Sequence, residues 1–488
     1  MLQSFNARTG EVFGNDVPVT TSTELETAIQ KANHAYSDWQ ASDGASRAKL
    51  LNGLADAIEA DREKLVELAD TETGLGLPRL NGELDRTAFQ LRRFATIAKN
   101  GAAFAFTDDP AVAGGPPVGH PPMMRVRVPL GPVAMFSASN FPFAFSVLGG
   151  DTASALAAGC TVVVKAHSGH LYTSARVFEV ASKAIKAMGF EEGLLQMVQG
   201  AGNQVGVALI QHPLIAAGAF TGSTRGGAAL RDAARARPRP IPFYGELGSV
   251  NPVIATSAAL KKGGEGLVQT LAGSITLGCG QFCTNPGLLV LQRSDESKEF
   301  VNTLVEALKA LKPHAMLTKA MRKALDYGTA EQIKAGAKPL LYTPVDEICP
   351  NPYLAEVDAK TFISKHELHE EVFGPATLIV WTDSVAQTLE VLHTVGGTLT
   401  VTFWGAEEES ADVHKLVRGA TAIAGRVLFA GVPTGVAVTA AQQHGGPWPS
   451  STEPMTTSVG DAALDRFLRP VSLQDMPEWL KNRQGRPC

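Results

Sequence analysis

Between residues 131 and 236 the chain alternates short apolar runs with amphipathic ones, and this rhythm leaves few folds open. GPVAMFSA, TVVVKA, LLQMVQG and AAGAFTG read as buried strands. FAFSVLGGDTASALAAG, YTSARVFEVASKAIKAMG, NQVGVALIQH and TRGGAALRDAARA read as the helices that follow them. Short apolar strands separated by helices form parallel βαβ units, and several in succession form a doubly wound sheet. Such a sheet takes its ligand outside the carboxyl ends of its strands, often with phosphates on helix N-termini. Lys165 closes TVVVKA, and the small residues Gly222, Ser223 and Gly227 follow AAGAF, so all four stand where that crevice is expected. Plainer alternatives are a lysine that keeps its ammonium in water and a serine that only caps a helix.

The flanking segments read differently. Residues 22–100 are helical in pattern: TELETAIQKANHAYSDW opens on a cap-like threonine, and GASRAKLLNGLADAIEADREKLVELADTETG ends at glycine. DDPAVAGGPPVGHPP is a Pro/Gly-rich break, MMRVRVPL alternates like an edge or arm strand, and RFLRPVSLQDMP is a second extended arm. A second α/β region runs from about 243 to 440. At 488 residues there is room for two or three domains with large cores. A net charge of −5 gives no field that would draw nucleic acid or an anionic membrane. Five scattered cysteines, an odd number, argue against a disulfide framework and for a reducing compartment. The start, MLQSFNARTGEVFG, has no basic stretch followed by an apolar one, and no apolar run reaches the length of a membrane span. The expectation is a cytoplasmic protein.

The candidate chemistry begins at GCGQFCTNPG, residues 278–287. A structural cysteine behaves as a small hydrophobe among apolar neighbours. Cys283 instead stands among Gly280, Gln281, Thr284, Asn285 and Gly287, the setting of an approachable thiol near exposed backbone N–H groups. Glu246, in YGELGSVNP, is a carboxylate in semi-apolar surroundings that can serve as a base, with an exposed turn glutamate as the alternative. QGAGNQVG, with Gly200, Gly202 and Gly206, is one residue longer than the dinucleotide fingerprint and reads as a strand-to-helix turn beside a ligand. HELHEE spaces its histidines three apart with no partner cluster, so no metal site is expected. The arginines of RDAARARPRP read as a solvated helix end.

FTGST, ELG, GQFCTNPG and EEVFGP, in that order, resemble the aldehyde dehydrogenase superfamily along nearly the whole chain. ASNFPFAFSVLGGDTASALAAGCTVVVKAH, PIPFYGELGSVNP, GRVLFAGVPTGVAV and HGGPWPSSTEPMTTSVG resemble its branch of α-ketoglutarate semialdehyde (2,5-dioxopentanoate) and NADP-linked fatty aldehyde dehydrogenases. The resemblance implies an α/β fold of three parts: a Rossmann-like cofactor domain (1–110 and 131–242), an α/β catalytic domain (243–440), and β-arm oligomerisation segments (111–130 and 441–488) that make a homodimer or a dimer of dimers. It also implies that Cys283 is the nucleophile. Asn140 and the Cys283 N–H would hold the oxyanion of the thiohemiacetal, and Glu246 would activate water to hydrolyse the thioester left after hydride transfer. Lys165 is placed with both the catalytic and the cofactor-binding residues. Glu371 and Phe373 would hold the nicotinamide ribose and wall the ring, and Ser223 would meet the pyrophosphate. Ser137, Ala138, Ser139, His167, Ser168, Gly202, Gly222, Gly227 and Leu247 complete the expected cofactor set.

Departures from the common pattern refine this. Ser168 stands where NAD-linked members carry Glu, and a hydroxyl in place of a carboxylate favours NADP, with NAD as the alternative. Ser139 replaces a common Trp, and Ala430 a common Asn. Phe143, Phe145 and Phe282 are expected to wall the substrate tunnel, with Gln281, Pro433 and Thr434 as candidates for a far carboxylate. The expected reaction is oxidation of α-ketoglutarate semialdehyde to 2-oxoglutarate. A broad medium- or long-chain fatty aldehyde dehydrogenase is the near alternative, and a cysteine esterase or a non-catalytic binding protein the distant ones.

Overall fold

In the computed structural model the described residues are 1–481, apart from 201, 312–314 and 345–347. Residues 482–488 of the expected C-terminal arm thus lie outside them. An antiparallel hairpin, β1 (Leu2–Phe5) and β2 (Val12–Val17), leads into four helices: α1 (Ser22–Trp39), α2 (Gly44–Ala60), α3 (Arg62–Thr73) and α4 (Leu77–Asn100). The cap of α1 is Thr21, two residues before the threonine that opens the periodic run. Thr21 Oγ1 accepts from the Glu24 N–H while the Glu24 carboxylate accepts from the Thr21 N–H, a reciprocal capping box. Next come β3 (Thr107–Asp109), β4 (Met123–Pro129) and β5 (Val133–Phe136). The remaining units are α5 (Gly150–Ala158), β6 (Val162–Lys165), α6 (Leu171–Ala187), β7 (Leu195–Val198), α7 (Gln204–Gln211), β8 (Ala217–Thr221), α8 (Thr224–Arg235) and β9 (Phe243–Glu246).

The five strands β5–β9 form one parallel sheet in the order β7-β6-β5-β8-β9, the doubly wound arrangement the sequence predicts. Alternation along β5 sends Val133 and Met135 into the core shared with α2, α4, α5 and α6, and Ala134 and Phe136 into the core on the opposite face. The first helix of the unit is shorter than its apolar run. Residues 141–149 turn instead, because the buried Glu83 carboxylate takes the N–H groups of Phe143 and Ala144, at 2.8 and 3.0 Å. Val147, Leu148 and Phe143 still pack inward. The sheet ends on β9, so Phe243–Glu246, expected at the head of the catalytic region, belongs by hydrogen bonding to the cofactor-type sheet.

The second region holds β10 (Pro252–Ala255), α9 (Ser257–Thr276), β11 (Leu288–Gln292), β12 (Lys338–Leu341), β13 (Tyr353–Asp358), β14 (Ala376–Thr382), β15 (Thr398–Trp404) and β16 (Ala424–Leu428). They build a seven-stranded sheet, parallel except where β12 meets β13. β17 (Leu468–Gln474) pairs with β4, which lies between β17 and β3 in a small antiparallel sheet. Among the described residues of the C-terminal stretch, β17 is the part that pairs as an arm. Residues 441–467 fold back against the two large sheets, as Glu246↔Ser451 bridging and the burial of His444 and Ser450 record. Among the described residues no helix is long and apolar enough to cross a membrane.

Candidate active site

The loop carrying Cys283 is shaped by three successive residues in the left-handed region: Gly278, Cys279 and Gly280, with φ of 55°, 60° and 65°. Gly280 has no substitute. A Cβ there would lie 2.2 Å from the backbone carbonyl of Gly374, within EEVFGP. Asn285 Nδ2 donates to that same carbonyl at 3.1 Å. Asn251, from the Glu246 segment, donates through Nδ2 to the carbonyls of Cys283 and Asn285 at 2.8 and 2.9 Å. The small and polar residues around Cys283 therefore let three segments meet backbone to backbone and satisfy the buried carbonyls. A Gly280→Ala variant is expected to lose about 2–4 kcal/mol of stability, from overpacking and left-handed strain together. It should also lose most of its activity; a thermal melt and a turnover assay check both.

Cys283 is half-buried, and its Sγ lies 3.6 Å from His444 Nε2. That nitrogen is 2.9 Å from Glu246 Oε1, and Ser458 Oγ donates to Glu246 Oε2. Sulfur, carboxylate oxygen and imidazole nitrogen all lie within 4.8 Å of one another. Glu246 ends β9, at the carboxyl edge of the five-stranded sheet, and is almost fully buried. Burial alone would raise its pKa. The charge of His444 and hydrogen bonds from His444, Ser458 and Cys283 outweigh that and hold it below the ordinary carboxylate value. An ionised carboxylate only accepts, so Nε2 of His444 carries a hydrogen toward it, and the thiol also points its hydrogen at Glu246. Burial, then the charge of Glu246 and its hydrogen bond, then Glu371, push the Cys283 thiol well above its usual range, while Arg86 pulls the other way. The sequence reading missed His444, because HGGPWPS lies in the stretch assigned to an arm. A histidine set in a Gly/Pro run is all that marks it in the sequence, and a solvated loop histidine looks the same.

Asn140 is buried beside the same loop: its Nδ2 donates to the Gln281 carbonyl at 3.0 Å, leaving the second amide hydrogen for another acceptor. Its own carbonyl accepts from Arg79 at 2.6 Å, and the Arg79 guanidinium lies between the Phe141 and Phe282 rings, 4.9 and 4.7 Å from their centroids. The aromatic wall is thus Phe141, Phe145 and Phe282, with Phe141 5.3 Å from each of the other two. Phe143, expected in that wall, is turned into the hydrophobic core, since alternate residues of this turn face opposite ways. Gln281 is also removed from the substrate face. Its amide donates to Gly278 O and accepts from Leu317 N, both at 3.0 Å. Proline has no N–H to donate and the Pro433 carbonyl accepts from Arg426, while the Thr434 hydroxyl is already paired with Ser274 at 2.9 Å.

The crevice at the carboxyl ends of β5–β8 is lined by polar atoms left without partners among the described residues, two hydroxyls and an amide oxygen. Ser137 Oγ, Gln199 Oε1 and Thr221 Oγ1 are buried there without a hydrogen-bond partner among the described residues. Lys165 is half-buried and unpaired among them, and burial lowers its pKa. Orphaned polar atoms in one crevice are the mark of a polar ligand. Ser168 and Gly202 are exposed at its rim, and Ser139 is half-buried. Ser223 caps α8, accepting from the Gly226 N–H at 3.2 Å, so its hydroxyl hydrogen alone remains for a phosphate. Gly227 answers to packing, since a Cβ there would lie 2.1 Å from Leu247. The Ala138 carbonyl is engaged by His170 at 2.8 Å, and the His167 Nδ1 accepts from Gly169 N at 3.0 Å. Burial and the charges of His170 and Lys165 depress His167 to about 3. Glu371 lies across the crevice, its carboxylate against Gly248, and burial raises it to about 7; Phe373 beside it is half-buried. In HELHEE, His369 is bonded to the Phe362 carbonyl at 2.7 Å and His366 to Glu370 at 3.5 Å.

Known proteins resemble the chain over nearly its whole length. An alpha-ketoglutaric semialdehyde dehydrogenase of Acinetobacter baylyi is 39% identical over 99% of this chain and 93% of its own. Alpha-ketoglutaric semialdehyde dehydrogenase 2 of Azospirillum brasilense is 40% identical over 98% of this chain and 92% of its own. The crystal structure of aldehyde dehydrogenase 21 from Physcomitrella patens superposes with a TM-score of 0.81 at 20% identity, covering 98% of this chain and 95% of that one, a likeness of fold. The model of the aldehyde dehydrogenase family matches residues 1–469, from the first strand into β17. With that match running through both large sheets and the loop that carries the thiol, the chain belongs to the aldehyde dehydrogenase family.

Proposed function

We propose that this enzyme oxidises α-ketoglutarate semialdehyde to 2-oxoglutarate with NADP, using Cys283 as nucleophile and Glu246 as base. The observation that carries the reading is a half-buried thiol within 4.8 Å of an ionised, buried carboxylate that ends a strand of the nucleotide-type sheet. The substrate is supported by two near full-length relatives of that name, 39% and 40% identical. Glu246 takes the thiol proton and Sγ bonds to the aldehyde carbon, so the carbonyl electrons move onto oxygen. The second N–H of Asn140 and the Cys283 N–H then face that oxyanion. Arg79, packed against the Phe141 and Phe282 rings, binds the backbone carbonyl of Asn140 and keeps that residue in place. Lys165, Ser137, Gln199, Thr221 and Glu371 would hold the cofactor, whose nicotinamide supplies the hydride acceptor that turns thiohemiacetal into thioester. Glu246, its first proton released, takes a proton from water, the hydroxide adds to the thioester carbon, and the C–S bond breaks to free the acid and the thiolate.

NADP preference rests on Ser168, exposed three residues beyond Lys165, where a hydroxyl can donate to a 2′-phosphate. A dimer or dimer of dimers is part of the same reading, supported by the unpaired outer edge of β17. So is a cytoplasmic setting, supported by free cysteines at 160, 279, 283 and 349. Following reduced cofactor by its near-ultraviolet absorbance with the semialdehyde and with hexanal separates this reading from a fatty aldehyde dehydrogenase. An esterase or a binding protein would give no signal with either. Ser168→Glu is expected to lower the NADP-to-NAD efficiency ratio by ~10–100-fold through like-charge repulsion, and an unchanged ratio would remove the assignment.

A further inference from the structure

The site has two arginines that the mechanism above does not use. Arg86 projects from α4 on the same face as Arg79 and Glu83, and Arg426 from the edge strand β16. Both reach the loop at 433–436: Arg86 Nη1 donates to the Val436 carbonyl, and Arg426 donates to those of Gly435 and Pro433, at 3.2 and 2.5 Å. Both also lie near enough to Cys283 for its charge to act on them, and Arg86 feels Glu246 as well. Arg86 stands 6.0 Å from the centre of the Phe145 ring, so it borders the aromatic wall.

What these side chains lack is informative. Nε and Nη2 of Arg86 and Nε of Arg426 are buried with no hydrogen-bond partner among the described residues. No ion pair to a carboxylate is formed by either guanidinium within that set. A buried guanidinium left short of acceptors costs stability, so a purely structural clamp on the 433–436 loop would be a poor use of two. An incoming group that only accepts, and accepts at several points, would satisfy them. A 2-oxo acid has that character, with two carboxylate oxygens and a keto oxygen in one plane, and arginine is suited to planar recognition of this kind.

We infer that Arg86 and Arg426 form the subsite for the far carboxylate of the substrate, and that they select aldehydes ending in an acid over neutral aldehydes of equal length. The inference rests on the substrate proposed above and names the residues that enforce it. Phe141, Phe145 and Phe282 then wall the carbon chain between this subsite and the thiol. The site candidates Gln281, Pro433 and Thr434 are replaced in this role by the arginine that binds the Pro433 carbonyl and its neighbour on α4.

The experiment compares kcat and KM for α-ketoglutarate semialdehyde and for pentanal in the unaltered enzyme, Arg86→Met, Arg426→Met and Arg86→Lys. The Met variants are expected to lower the ratio of the two efficiencies by ~10–100-fold, the worth of a charge-assisted hydrogen bond. The loss should appear mainly in KM for the semialdehyde, and Arg86→Lys should regain part of it. Competitive inhibition by glutarate should weaken in step. If the semialdehyde and pentanal lose efficiency equally, the arginines are structural and the subsite is wrong, though the substrate stands. If the unaltered enzyme prefers pentanal, substrate and subsite fall together. Should Arg86→Met not fold, Arg86→Lys and Arg426→Met give the same reading.

Discussion

Cys283→Ala is expected to reduce turnover by at least ~10⁴-fold while leaving the melting temperature close to that of the parent, because a nucleophile has no stand-in within the site. The other described cysteines cannot take its place. Cys160 and Cys279 are buried, and desolvation pushes them to about 11 and about 12, so they remain protonated and out of reach. Cys349 is half-buried and near enough to Cys279 to raise it further. Alkylation of the native enzyme with iodoacetamide should therefore track activity through Cys283, and the alanine variant should show no activity left to lose. Turnover within tenfold of the parent would remove the covalent mechanism, whatever the fold.

The doubly wound sheet was legible because its strands are short, apolar and separated each time by a helix, which few other packings accept. Cys283 and Glu246 were legible because their neighbours are chemically odd for a core or a surface. What the sequence hid depends on distant approach. His444 is 198 residues from Glu246, yet the two share a hydrogen bond; no local pattern around HGGPWPS distinguishes a buried imidazole from a loop one. Arg86 and Arg426 meet the same four-residue loop from α4 and from β16, 340 residues apart in the chain, and each looks alone like a solvated charge. Phe143 was misplaced because the residues from 141 to 149 carry helical periodicity but turn, once Glu83 takes two of their N–H groups. Gly227 fitted a phosphate loop equally well and proved to answer to Leu247, a residue twenty positions later.

Glu246→Gln should have two effects of opposite sign, and together they test the division of labour at the site. Turnover is expected to fall by ~10²–10⁴-fold, the usual contribution of a positioned general base. Removing the carboxylate charge eases ionisation of the thiol and so offsets the loss of its base, whereas nothing offsets the loss of the base for hydrolysis; the first turnover should survive as a burst of reduced cofactor followed by a slow steady state. Alkylation of Cys283 should meanwhile become faster near neutrality. The thiol is held above its ordinary value first by burial, which the substitution keeps, and then by the negative charge and hydrogen bond of Glu246, which it removes. Only a thiolate reacts, so lowering that pKa moves the rise of the labelling rate to lower pH, whereas in the parent it should keep climbing through pH 8.5. Slower labelling, with no burst, would mean that Glu246 serves the thiol alone. The water would then be activated by a group other than Glu246, and the division of labour proposed for the site would fall.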